Sequence, residues 1–247
     1  MPLCGEKSYQ PQRQGEAEVG AELNEYFMSV NVEKYNEIIR ELLQKQATLV
    51  AVSKIKPNKD IQALYDLGQR DFGENYVQEL VDKQASLPKD INWHFIGHLQ
   101  SNKVKYIAPF VHLIHGVDSF KLLKEINKQA AKCGRVIDCL LQVHIAQEET
   151  KFGMDEGEIE EVRIHIGELA NVRICGLMGM GSFSEDMGKV REEFKNLKTL
   201  FTKFSPWTID NRSWTILSMG MSGDYPLAIE EGSTMVRIGS LLFGARN

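Results

Sequence analysis

Apolar positions along the chain alternate between two periods. Val32, Tyr35, Ile38, Ile39, Leu42 and Leu43 recur at helical spacing, and Leu49–Val52 follows as an apolar run of strand length. The alternation then repeats. Asp60 opens a helix with Ile61, Leu64 and Leu67 on one face and Gly68 as its stop. A weak strand is predicted over 70–73, then a helix carrying Tyr76, Val77, Leu80 and Val81. Further strands are predicted over 93–96, 111–117, 136–145 (the longest), 172–178, 214–219 and 234–238. Between them lie a short helix over 101–107 and a Ser119-capped helix ended by Gly134. Helical faces follow at Ile159/Val162/Ile166/Leu169 and Met187/Val190/Phe194/Leu197/Phe201, with a short helix from Asp224 to Gly232. A leading helix and then eight strands separated by helices predict a parallel sheet with helices outside. Eight such units fit a closed (β/α)₈ TIM barrel of roughly 250 residues, with an open doubly wound sheet as the alternative. Residues 1–29 are polar, carry Pro2, Gly5, Pro11, Gly15 and Gly20, and show no period. They are expected to be a disordered extension ahead of a natural start at Met28, with one domain over 30–247.

Composition narrows the partners. Twenty-nine Lys and Arg face 34 Asp and Glu, a net charge of −5. That balance gives no general attraction to nucleic acid or anionic membranes, though it permits a local basic pocket. Apolar runs such as Leu140–Val143 and Leu241–Phe243 fall far short of the ~20 residues of a membrane span. No apolar segment follows a basic start, so no secretory signal is expected. Cys4, Cys133, Cys139 and Cys175 show no C-x-x-C spacing and read as reduced, buried thiols of a cytoplasmic protein.

Barrel enzymes place their chemistry at the carboxyl ends of the strands. Lys54 follows the first strand directly, where desolvation would favour a neutral amine able to attack an aldehyde. A solvated loop lysine is the bland alternative. The segment from Leu217 to Gly223 offers Ser218 and Ser222, and Gly239-Ser240 follows the last strand, positions suited to a phosphate. They also suit plain tight turns. Arg237 interrupts an apolar strand and needs a carboxylate partner or a ligand. Of six histidines, His94 and His98 do not share a helix face, and no third ligand has metal-site spacing. Lys56, Lys103 and Lys151 read as solvated surface residues, with a second phosphate site as the alternative.

Several long motifs occur in order: Val50-Ala51-Val52-Ser53-Lys54, then Phe72-Gly73-Glu74-Asn75-Tyr76-Val77-Gln78-Glu79, then Trp93 to Lys103. Gly176-Leu177-Met178, Leu217 to Ser222 and Gly232 to Gly239 complete the set. From about Val32 to Asn247 the chain closely resembles the pyridoxal phosphate homeostasis protein family (YggS/PROSC type). The resemblance implies an alanine racemase-like barrel, fold type III among proteins that use pyridoxal 5′-phosphate (PLP). It implies Lys54 as the Schiff-base lysine and Arg237 as the arginine under the pyridine nitrogen. Gly239 and Ser240 would be the phosphate-binding backbone, with Ser218 and Ser222 as hydroxyl contributors, and Asn75 and His94 further cofactor contacts. The loop Gly179-Met180-Gly181-Ser182 is richer in glycine than the family pattern.

An arginine at the pyridine nitrogen leaves the ring a poorer electron sink. Racemases of this fold compensate with a second base, a tyrosine from a β-rich domain of a partner subunit. No such domain follows the barrel in this sequence, and the last tyrosine is Tyr225. The expected function is therefore storage, buffering or transfer of PLP by a monomer, with PLP-dependent apoenzymes as recipients and no catalysis. Two alternatives stay open. One is a weak amino-acid racemase using His94 or Tyr76 as second base. The other is a sugar-phosphate barrel enzyme in which Lys54 attacks a ketone.

Overall fold

Strand β1 (Thr48–Val52) shows why the chain closes on itself. Leu49, Val50 and Ala51 are all buried, so both faces of the strand meet protein. Strands buried on both faces belong to a parallel sheet with an outer helical layer. A computed structural model describes residues 30–146, 153–206 and 214–244 and shows that arrangement. β1 is followed by β2 (Asp71–Glu74), β3 (Asn92–Phe95), β4 (Leu113–Val117), β5 (Ile137–Val143), β6 (Val172–Gly179), β7 (Ile216–Met221) and β8 (Met235–Ile238). Every strand pairs in parallel with its sequence neighbours, and β8 returns to β1, closing the barrel. The expected extension over 1–29 and Lys151 lie outside the described residues.

The helices form the outer layer. They are α1 (Val32–Gln44), α2 (Asn58–Asp66), α3 (Val77–Ser86), α4 (Val104–Ile107), α5 (Phe120–Lys132), α6 (Glu156–His165), α7 (Met187–Phe204), α8 (Tyr225–Glu230) and α9 (Ser240–Phe243). Their apolar faces and the outward strand residues make the main core, with Ile38, Leu64, Leu80, Ile126 and Phe194 fully buried. A second, smaller core fills the barrel interior: Val50, Leu113, Leu140, Met178 and Met235. Among the described residues, no helix is long and apolar enough to cross a membrane.

Several details differ from the sequence expectations. The longest strand is β6, at eight residues, and not the segment over 136–145. Gly176 lets β6 run close beside β7: at φ +154°, a Cβ there would lie 1.8 Å from the Ile216 carbonyl oxygen. Asp60 sits in the first turn of α2, whose N-cap is Pro57. Asp224 is the N-cap residue of α8, but its side chain makes no capping bond to the helix and its Oδ1 instead accepts from the Met221 N–H at 2.5 Å. Of the thiols, Cys139 is buried, Cys175 half-buried and Cys133 exposed. The exposure of Cys133 follows from its place at the C-terminal end of α5.

Candidate functional site

Register decides which side chains enter the barrel. Val50 faces the interior, and its neighbour across the β1–β8 pair is Arg237, which therefore points inward as well. Arg237 is 4% exposed. Its Nη1 donates to the Ser218 carbonyl oxygen at 2.9 Å and to Ser218 Oγ at 2.6 Å, and its Nη2 donates to the Gly179 carbonyl oxygen at 2.9 Å. Burial pushes the guanidinium down to about 10, against the pull of Asp224. It stays charged at neutral pH, held by oxygen dipoles instead of a carboxylate contact. The glycine-rich loop now has a reason. The Gly179 carbonyl serves Arg237, and a Cβ at Gly179 would meet Leu197 Cδ2 at 2.7 Å. Ser182 fixes the far end through its N–H and hydroxyl, both donating to the buried Glu193 carboxylate at 2.7 and 2.6 Å.

A chain of hydrogen bonds continues from Ser218 through the interior. Ser218 Oγ lies 3.1 Å from His115 Nδ1, His115 Nε2 lies 2.9 Å from His94 Nδ1, and His94 Nε2 lies 3.0 Å from Asp71 Oδ1. Burial, and then the neighbouring His94, hold His115 well below the usual histidine range, so it is neutral. Arg237 can only donate and the Asp71 carboxylate can only accept, so the chain runs between a fixed donor and a fixed acceptor.

Lys54 is set by a different network. It lies in the turn after β1, half-buried, and the next residue, Ile55, has φ +59°. That left-handed conformation is costly for a β-branched residue and must be held. The Ile55 N–H donates to Glu79 Oε1 at 2.6 Å. Lys83 Nζ donates to Glu79 Oε1 at 2.6 Å, to Glu74 Oε1 at 2.8 Å and to the Ser53 carbonyl oxygen at 2.7 Å. Ser53 Oγ completes the knot by donating to Glu74 Oε1 at 2.6 Å. Burial pushes the Glu74 carboxyl up, against the pull of Lys83 and Ser53. None of Ser53, Glu74, Glu79 or Lys83 stood out as functional in the sequence. The signal was an acid and a base four residues apart, Glu79 and Lys83, following the Glu74 motif on one helical turn.

A cavity of about 410 Å³ opens at the carboxyl ends of the strands. Six of the sequence-derived residues line it: Lys54, Asn75, Ser222, Arg237, Gly239 and Ser240. The Gly239 N–H donates to Ser222 Oγ at 3.2 Å, tying the loop after β7 to the start of α9. The first N–H groups of α9 have no acceptor within the helix. Lys56 also lines the cavity, its Nζ donating to the Phe243 carbonyl oxygen at 2.8 Å, whereas Lys103 lies beside the Tyr106 ring. Two further sequence-derived residues are not among the lining residues. Ser218 pairs with Met235, and its hydroxyl lies under Arg237. His94 is engaged by His115 and Asp71. Tyr76 is 59% exposed and is also absent from the lining.

The fold and this cavity define a barrel of the alanine racemase N-terminal type, and the model of that family, "Alanine racemase, N-terminal domain", matches residues 31–247. A pyridoxal phosphate homeostasis protein of Aquifex aeolicus (strain VF5) is 42% identical over 205 residues, covering 81% of this chain and 87% of that protein. Its counterpart in Escherichia coli (strain K12) is 36% identical over 207 residues, covering 82% and 87%. The structure of PipY from Synechococcus elongatus PCC7942 with PLP bound matches at TM-score 0.78 and 35% identity, over 86% of this chain and 99% of that one. Alanine racemase from Bartonella henselae shares the fold at TM-score 0.61 and 17% identity, over 85% of this chain and 58% of the racemase. The chain belongs to the pyridoxal phosphate homeostasis protein family.

Proposed function

We propose that this protein binds PLP in the cavity at the carboxyl ends of the strands, as a Schiff base on Lys54, and stores and donates it without turning over a substrate. The observation that carries the reading is the donor set of one cavity. A lysine amine, a buried guanidinium and a rim of Ser222, Gly239 and Ser240 face the same space. They answer an aldehyde, a ring nitrogen and a phosphate. Asn75 adds a fit of its own: its Oδ1 is buried and has no hydrogen-bond partner among the described residues. A polar ligand on the cavity side would satisfy that atom. When bound, PLP supplies the aldehyde that links reversibly to the lysine amine.

The protein's own groups then have distinct tasks. Lys54 presents its amine from a turn braced by Glu79 and Lys83. Arg237 keeps its proton and donates, which suits a ring nitrogen left unprotonated. Ser222 and the backbone at Gly239 and Ser240 receive the phosphate. Among the described residues, no imidazole or phenol lines the cavity, and this supports holding over turnover. The test mixes PLP-loaded protein with the apo form of a PLP-dependent enzyme and separately incubates it with L-alanine. The expected result is recovery of the acceptor's activity with no D-alanine above the blank. D-alanine accumulating over many turnovers would replace the carrier reading with a racemase.

A further inference from the structure

The amino end of the barrel, opposite the cavity, carries a cluster that the reading above leaves unused. Asp71 opens β2, His94 lies two pairs further along in β3, and His112 immediately precedes β4. The pairings Asp71–Asn92 and Gly73–His94 bring the first two together, and His94 Nε2 sits 3.0 Å from Asp71 Oδ1. The His112 ring packs against His94 with centroids 5.4 Å apart. One ligand atom from each of Asp71, His94 and His112 falls within a 4.8 Å cluster.

We propose that Asp71, His94 and His112 form a binding site for a divalent transition metal of the Zn²⁺ class. Two imidazoles and a carboxylate are a donor set for zinc and its neighbours in the first row, and leave a coordination position open. Ligands about 2.0–2.2 Å from a common ion lie roughly 3–3.6 Å from one another, as Asp71 Oδ1 and His94 Nε2 already do. The outer partners are also in place. His94 Nδ1 is held by His115 Nε2 at 2.9 Å, and Asn92 Nδ2 donates to Asp71 Oδ1 at 3.2 Å. Ligating histidines have their second nitrogen fixed in this way, and ligating carboxylates are hydrogen-bonded. His94 is buried, whereas His112 is exposed and Asp71 half-buried, so the site is anchored on one side and open to solvent on the other.

Occupancy has a structural consequence. With a metal on His94 Nε2, the ring's proton sits on Nδ1 and donates to His115 Nε2. Neutral His115 then carries its proton on Nδ1 and donates to Ser218 Oγ. Occupancy therefore sets the direction of the interior hydrogen bonds as far as the hydroxyl that Arg237 holds.

The test titrates the full chain with Zn²⁺ by calorimetry and with Co²⁺ by visible absorption, with exposed thiols alkylated beforehand. Wild type is compared with His112→Ala, Asp71→Asn and His98→Ala. His98 is exposed, paired with Asp118 Oδ2 at 2.9 Å, and serves as the control for adventitious histidine binding. His112 is exposed, so His112→Ala keeps the fold, as its circular dichroism will show. The expected result is one Zn²⁺ per chain at micromolar or tighter Kd, unchanged in His98→Ala. Binding should weaken by at least about tenfold in His112→Ala and in Asp71→Asn. No saturable binding, or binding of equal strength in wild type and His112→Ala, would overturn the proposal.

Discussion

Replacing Lys83 by methionine is expected to destabilise the barrel by about 3–5 kcal/mol, the cost of removing one partner of a buried ion pair. In a chain of this size that lowers Tm by roughly 6–20 °C. Lys83 and Glu74 have side chains only 6% and 0% exposed. Without the ammonium, Glu74 retains Ser53 Oγ on one oxygen, and its Oε2 already has no partner among the described residues. Burial has raised this carboxyl in the intact protein, and losing Lys83 raises it further. The sign then follows by linkage. A carboxyl whose pKa is higher folded than unfolded stabilises the fold at low pH and loses that contribution as pH rises from the ordinary carboxylate range through its folded value. The penalty in Lys83→Met should therefore be smaller at pH 5 than at pH 8. Adding Glu74→Gln should recover part of it, because the unpaired buried charge is gone. Denaturant titrations of the three variants at both pH values measure this, and a Lys83→Met loss below about 1 kcal/mol would show that the knot is not a closed ion pair.

The second large effect falls on binding. Arg237→Gln is expected to weaken PLP affinity by about 10–150-fold, which corresponds to the 1.5–3 kcal/mol of a hydrogen bond to a charged group. Folding should change less. Arg237 is fully buried with its pKa pushed down to about 10, so removing it relieves a desolvation cost. That relief offsets part of the bonds lost at Ser218 and Gly179. Spectroscopic titration with PLP beside thermal unfolding separates the two. An affinity equal to wild type would remove Arg237 from the cofactor contacts.

The barrel was legible because its strands are short apolar runs and its helices keep a clear apolar face. The ends were less so. The strand expected over 214–219 lies at Ile216–Met221, because Trp214 stacks on Phe204 of α7 instead of joining the ladder. Lys54 and Arg237 were visible as reactive residues directly after or inside an apolar run. Ser218 was visible as a residue but not as a neighbour of Arg237. A one-residue pattern cannot say at which depth of a barrel a hydroxyl lies. The Glu74–Lys83–Glu79 knot and the Asp71–His94–His115 chain join residues from different strands and helices. Their spacing in sequence carries no metal-site or ion-pair pattern beyond Glu79 and Lys83, and only barrel closure brings them together. Charged residues in a helical stretch read as a solvated face, yet Lys83 is buried.

The most direct measurement is the absorption spectrum of the purified protein loaded with PLP, before and after borohydride, beside Lys54→Ala. The expected result is a band at ~420 nm that borohydride removes while fixing the cofactor to Lys54, with no such band in the variant. A protein that stays colourless with added PLP, or a band of equal strength in Lys54→Ala, would contradict the assignment of Lys54 as the cofactor anchor.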